Sequence, residues 1–216
     1  MSDLSLPIYM DYLATTPVDR RVLDAMLPHF YESFGNPSSA THSFGQKASM
    51  AVAQARRQVA ALLNAREREV LFTSGATEAN NLALKGVADW VKTGHIITAK
   101  TEHKAVLDVC KTLADRGFRI TYLEVDRAGH IDLNALDQAI TGDTVLVSLM
   151  GANNEVGTLH PLAEIGALCK ARGVLFHCDG AQAAGKVEID VESMEIDLFS
   201  LSGHKLYAPK GVGALY

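Results

Sequence analysis

The chain has 216 residues, with 20 Lys+Arg against 25 Asp+Glu, a formal net charge of −5, 48% apolar residues and 21% charged residues. These are the proportions of an ordinary globular protein, and they exclude a disordered, collagen-like or low-complexity chain. A mildly acidic surface without a basic stripe argues against nucleic acid as a partner. No apolar run reaches the roughly 18 residues a membrane span needs, so no membrane association is expected. In chain order, residues 18–31 and 43–63 predict two longer helices, the second with Val52, Val59 and Leu63 on one face. Residues 70–73 predict a strand, 77–91 a helix and 95–99 a strand. Residues 104–116 predict a helix, because Val106, Val109, Cys110 and Leu113 recur at spacings of three and four. Strands follow at 119–125 and 144–149, then a helix at 162–171 with Gly173 as its C-terminal cap, then strands at 173–177, 197–201 and 213–216. Runs so continuously apolar suit strands covered on both faces. Strands alternating with helices predict an α/β fold with a parallel sheet, in which ligands bind outside the carboxyl ends of the strands.

Length suits one large domain. Cys110, Cys169 and Cys178 have no C-x-x-C spacing. They predict neither a disulfide framework nor a zinc site, and they suit a reducing, cytoplasmic setting. The opening Met1-Ser-Asp-Leu-Ser-Leu-Pro7 has no basic stretch followed by an apolar one, so no secretory leader is expected.

In such a sheet the chemistry belongs just after each strand. Thr73-Ser-Gly-Ala-Thr-Glu78 opens a helix. Its small residues and free N–H groups can dock an anion, although Thr77 or Ser74 could simply cap the helix. No G-x-G-x-x-G and no P-loop Lys-Ser/Thr is present. Lys100-Thr-Glu-His103 brings an imidazole to a strand end, and Gly151-Ala-Asn-Asn-Glu155 brings two amides that are either turn formers or ligand contacts. In His177-Cys-Asp-Gly-Ala-Gln182, Asp179 follows an apolar strand and requires a cation from the protein or from a ligand. His177 shares its face of the strand, but no third ligand has a helpful spacing, so no metal site is expected. Ser200-Leu-Ser-Gly-His-Lys205 places a lysine at the same end of the sheet. Desolvation there makes an amine nucleophilic, as a Schiff base requires, while the plain alternative is a lysine reaching out to solvent. One ligand meets all these terms. Its phosphate goes to residues 75–77, its flat ring under His103, its ring nitrogen to Asp179 and its aldehyde to Lys205. That ligand is pyridoxal phosphate.

The motifs resemble those of the cysteine desulfurases, fold-type-I pyridoxal-phosphate enzymes of the class-V aminotransferase kind, and among them the iron–sulfur-assembly and nitrogen-fixation group. The matching stretches include Tyr9-Met-Asp-Tyr-Leu-Ala-Thr-Thr-Pro17, Phe34-Gly-Asn-Pro37, Phe72-Thr-Ser-Gly-Ala-Thr-Glu78, Thr101-Glu-His-Lys-Ala-Val-Leu107, Asn153-Asn-Glu-Val-Gly157 and Ser202-Gly-His-Lys-Leu-Tyr-Ala-Pro-Lys-Gly-Val-Gly-Ala-Leu-Tyr216. The resemblance implies a three-layer αβα large domain at 17–216, behind an N-terminal segment at 1–16. Its sheet would have seven mostly parallel strands, the last antiparallel. It also implies roles. Lys205 would hold the cofactor and move protons, and His103 would stack on the ring and assist. Asp179 would pair with the ring nitrogen, Gln182 with the ring hydroxyl, and Asn154 would lie near the ring oxygen and the substrate carboxylate. Ala76, Thr77, Ser202 and His204 would hold the phosphate.

The family reaction converts L-cysteine to L-alanine and passes the sulfur as a persulfide. A homodimer and an iron–sulfur scaffold or other sulfur-acceptor protein are the partners so implied. The small C-terminal domain and the acceptor cysteine are expected to be absent from this chain, which would then turn over cysteine poorly alone. A related lyase or aminotransferase, or a non-catalytic fragment acting as a dimerisation partner, is the competing reading. Gly180, where the family usually has Ala, and Ala208, where it usually has Gly, read as indifferent small-for-small exchanges.

Overall fold

The computed structural model describes residues 6–216; residues 1–5, which open both the expected N-terminal segment and the stretch read for a leader, lie outside the described residues. Seven strands form one sheet: β1 (Leu71–Thr73), β2 (His95–Ala99), β3 (Arg119–Leu123), β4 (Thr144–Met150), β5 (Leu175–Asp179), β6 (Leu198–Ser202) and β7 (Gly213–Leu215). Their order is β1-β7-β6-β5-β4-β2-β3. The pairings of β2 through β6 are parallel, whereas β7 is inserted antiparallel between β1 and β6.

The helices are α1 (Arg20–Met26), α2 (Pro28–Tyr31), α3 (Ser43–Leu62), α4 (Ala76–Val91), α5 (Lys104–Asp115), α6 (Leu133–Ala139) and α7 (Leu162–Arg172). Successive strand residues serve opposite layers, as the period of two requires. Ile96 and Leu146 pack with Leu84 of α4 and Val106 and Leu113 of α5. Ile97 and Val147 pack on the other face with Leu136 of α6, Ile165 of α7 and Leu63 at the end of α3. The result is the expected three-layer αβα sandwich. Among the described residues no helix is long and apolar enough to cross a membrane.

Several elements depart from the sequence reading for local reasons. The single helix expected at 18–31 is two short ones, because Pro28 has no N–H to continue the ladder, and neither piece buries a residue. In α3 the expected face is anchored only towards its end: Leu63 is fully buried, Val59 is partly buried, and Val52 lies open. Strand β3 stops at Leu123, and Val125 instead bridges to Ile131 across a turn. Strand β5 starts two residues late, because Gly173 takes a left-handed φ of 68° to close α7, the cap expected of it. Helix α6 is an addition. Asp132 caps it, accepting from the Asn134 N–H at 2.8 Å.

Before α1 the chain runs as a strap over the sheet's end. The Thr16 N–H and hydroxyl both donate to the His204 carbonyl at 2.9 Å, and the Asp19 N–H donates to the Tyr207 carbonyl at 2.9 Å.

Candidate active site

A cavity of about 420 Å³ opens at the carboxyl ends of β4, β5 and β6. All nine residues singled out from the sequence line it: Ala76 and Thr77 from the start of α4, His103 and Asn154 from the loops after β2 and β4, Asp179 at the end of β5 with Gln182 beyond it, and Ser202 at the end of β6 with His204 and Lys205 beyond it.

One wall is the first turn of α4. Its N-cap is Gly75, which has no side chain to cap with, so neither Ser74 nor Thr77 plays the capping part that was one reading of this motif. Thr73 Oγ1 donates to the Gly75 carbonyl at 3.0 Å, and the Glu78 carboxylate accepts from the Ser74 N–H at 2.6 Å. These bonds fix the turn but leave the first amides of α4 uncapped by any side chain, as an anion site requires. A Cβ on Gly213 of β7 would stand 2.6 Å from the Gly75 Cα, so glycine is what lets the antiparallel strand press against this turn.

The floor is the end of β5. Asp179 is 5% exposed. Its Oδ1 accepts from the Ala181 N–H at 3.0 Å and its Oδ2 from the Asn80 amide at 2.7 Å. Among the described residues no cation forms an ion pair with it. Lys205 sits in a single tight turn, Gly203–Lys205, directly after β6. Burial pushes its ammonium below the ordinary lysine range, and the charges of Asp179, Asp11 and Glu155 pull it partly back. His204 Nδ1 meets the Thr15 hydroxyl at 3.1 Å, and burial, then the charges of Lys205 and Lys210, lower its pKa.

His103 is the N-cap of α5. Its Nδ1 accepts from the Ala105 N–H at 3.1 Å, which puts the proton of the neutral ring on Nε2. The two amides after β4 divide their work. Asn153 is the turn former, its Oδ1 accepting from the Glu155 and Val156 N–H groups, while Asn154 faces the cavity and donates to Glu155 Oε1 at 2.7 Å.

Several residues of this site escaped the sequence reading. Asn80 carries the Asp179 carboxylate; its signal was a polar residue on a helix face otherwise made of Ala79, Ala83, Leu84 and Ala88. Glu102, buried beside His103, accepts from the Met150 N–H at 2.7 Å through Oε1, and its Oε2 has no partner. Burial, reinforced by the charge of Asp179, raises its carboxyl well above the ordinary 4.5, which favours the protonated form. Lys210 also lines the cavity. Gly180 is not the indifferent exchange it looked. A Cβ there would lie 1.9 Å from Cζ of Phe199, so glycine at 180 and phenylalanine at 199 belong together.

The residues fit pyridoxal phosphate: a buried carboxylate without an ion-pair partner among the described residues, an amine partly stripped of water, and an uncapped helix start share one cavity. The family model for aminotransferase class-V matches residues 8–216. The chain belongs to the class-V aminotransferase family. This class-V chain is 60% identical over 213 residues to the mitosomal cysteine desulfurase of Trachipleistophora hominis, covering 97% of itself and 48% of that protein. It is 56% identical over 218 residues to the cysteine desulfurase IscS of Rickettsia rickettsii (strain Iowa), covering 100% of itself and 53% of that protein. A solved structure described as SspA in complex with cysteine is 46% identical and superposes with a TM-score of 0.94 over 96% of this chain and 60% of that one. The chain spans about half the length of the curated relatives it matches.

Proposed function

We propose that this protein is a pyridoxal-phosphate-dependent cysteine desulfurase, taking sulfur from L-cysteine and leaving L-alanine. The observation that carries the reading is Asp179, a buried carboxylate without an ion-pair partner among the described residues, facing the same cavity as Lys205. When bound, the cofactor supplies an electron sink for the carbon from which the proton is taken. The protein's own residues do the rest. The Ala76 and Thr77 amides, the Thr77 and Ser202 hydroxyls and His204 hold the phosphate at the α4 start. Asp179 holds a proton on the ring nitrogen, which keeps the ring electron-poor. Lys205 Nζ, desolvated and so more readily neutral, holds the cofactor aldehyde and carries a proton between reacting carbons. His103 covers the ring and presents Nε2 for proton transfer. Gln182 faces the ring oxygen, and Asn154 that oxygen and the substrate carboxylate.

None of the chain's three cysteines suits the sulfur acceptor. All are buried, and burial pushes the Cys110 and Cys169 thiols up to about 12 and Cys178 well above its ordinary value. The accepting thiol is therefore another one, in the rest of a longer polypeptide or in a partner. The wider reading, a cytoplasmic homodimer that feeds iron–sulfur scaffold proteins, rests on the family resemblance. The apolar side chains left open by the N-terminal helices, Phe30 at 70% and Tyr31 at 62% exposed, support a covered face there.

The test is spectroscopic and chemical. The protein purified with pyridoxal phosphate keeps its colour through dialysis, and Lys205→Ala loses it. With L-cysteine and a thiol reductant, the protein supplied with its acceptor releases alanine and sulfide in equal amounts. A wild-type protein that takes up no cofactor overturns the reading.

A further inference from the structure

Lys186 does not line the cavity, yet it touches a residue that does. Its Nζ donates to Gln182 Oε1 at 2.8 Å, four residues back along the chain. An ammonium can only donate, so the contact decides which end of the Gln182 amide is which. The carbonyl must face Lys186, and the NH2 must face the opposite way. There, one of its two N–H groups donates to the Leu13 carbonyl at 2.8 Å. Leu13 belongs to the strap that crosses the site, so this bond also sets where the amide lies. Gln182 is 6% exposed, and a buried amide cannot trade its partners for water. With its oxygen turned to Lys186 and one hydrogen held by Leu13, it has a single N–H left for the cavity. No protein acceptor among the described residues takes it.

We propose that Lys186 is a positioning residue that fixes the polarity of Gln182, so that the cavity wall offers a hydrogen-bond donor at that point and selects a ligand with an acceptor oxygen there. This deepens the cofactor reading and rests on it. In pyridoxal phosphate the group beside the aldehyde is a ring oxygen that accepts when ionised, and a reversed amide would turn its own carbonyl towards that oxygen. The Leu13 carbonyl, which can only accept, favours the same orientation; without the lysine the amide is left with that bond alone, and its carbonyl and NH2, nearly alike in shape, exchange more readily.

The experiment is a titration of the apo protein with pyridoxal phosphate, following affinity and the pH midpoint of the bound cofactor's visible band. Lys186 is exposed, so apo Lys186→Met is expected to stay folded, and its cooperative unfolding, read beside the titration, separates positioning from folding. Lys186→Met is expected to weaken the cofactor by about tenfold, the worth of one charge-assisted hydrogen-bond arrangement, and to move the pH midpoint. Lys186→Arg, which also only donates, restores most of both. In a Gln182→Ala background Lys186→Met has no further effect, because the two residues act as one unit. An analogue of the cofactor lacking the ring hydroxyl binds wild type and Lys186→Met alike. The proposal is overturned if Lys186→Met keeps wild-type affinity and spectrum, or if its effect multiplies with that of Gln182→Ala. A wild-type protein that takes up no cofactor sinks this inference together with the reading beneath it, and so is told apart from failure of the lysine's role alone.

Discussion

Replacing Gly180 by alanine sets two effects of opposite sign against each other. The backbone at 180 is outside the left-handed region, so alanine meets no conformational barrier there. By restricting the unfolded chain it would gain about 0.4–1 kcal/mol. Against this, its Cβ would stand 1.9, 2.3 and 2.5 Å from three ring carbons of Phe199, a fully buried side chain. To recover an ordinary contact of 3.4 Å the ring must retreat by about 1.5 Å into a filled core. Overpacking of this kind costs about 1–3 kcal/mol, more than the entropy returns. The expected net loss is about 1–2 kcal/mol, or a fall of about 2–8 °C in the unfolding midpoint of a domain this size. The function should suffer with it. Gly180 follows Asp179, and its N–H donates to the Ser200 carbonyl at 2.8 Å, so a shifted backbone moves the carboxylate. Thermal unfolding and cofactor titration of Gly180→Ala, Phe199→Leu and the double variant form the assay. The double variant is expected to be more stable than the sum of the singles allows, by about 1 kcal/mol. An unchanged midpoint for Gly180→Ala, or simple additivity, refutes the argument.

Two further predictions turn on buried titratable groups. Glu102 keeps its proton in the folded protein at a pH where the unfolded chain would release it. Its raised pKa therefore costs stability progressively as pH rises above the ordinary 4.5. Glu102→Gln keeps the acceptor for the Met150 N–H, so it should equal wild type near that pH and exceed it increasingly towards neutrality. Glu102→Ala should lose about 1–3 kcal/mol by stranding that N–H. Urea midpoints across pH check both, and a glutamine variant less stable than wild type at neutral pH would count against a neutral Glu102. His177 has the opposite sign. Buried between the Ser148 and Ser200 hydroxyls, its ring is pushed from 6.5 down to about 3 by burial alone. Its contribution is intact above pH 6.5 and fades as pH falls towards 3, because the unfolded chain takes up the proton first. The loss by about pH 4.5 is on the order of 2–3 kcal/mol, and His177→Gln should flatten that acid limb. Parallel acid limbs for the two proteins would show that the histidine is not its source.

Much of the frame could be read in one dimension because local chemistry sets it. The runs at 95–99 and 144–149 are rich in apolar and β-branched residues, as suits a strand covered on both faces, and Gly173 closes α7 because glycine enters the left-handed region freely. The cavity-lining residues were legible for the same reason. Each ends a strand or follows one within four residues, so the sheet carries it to the carboxyl edge whatever the neighbours are. Pro28 shows the limit of pattern reading even at short range, since hydrophobic spacing continued where a missing N–H broke the helix.

What the chain could not declare by itself lies in contacts between distant residues. Asn80 reaches Asp179 across 99 positions, Glu102 reaches Met150 across 48, and Gln182 reaches Leu13 across 169. Each is an ordinary polar residue until packing removes its water and leaves one partner within reach. The fit of Gly180 against Phe199 is of the same kind. Periodicity and end-of-strand position are properties of a segment. Burial, partner and protonation state belong to the place where segments meet, and only the folded chain decides them.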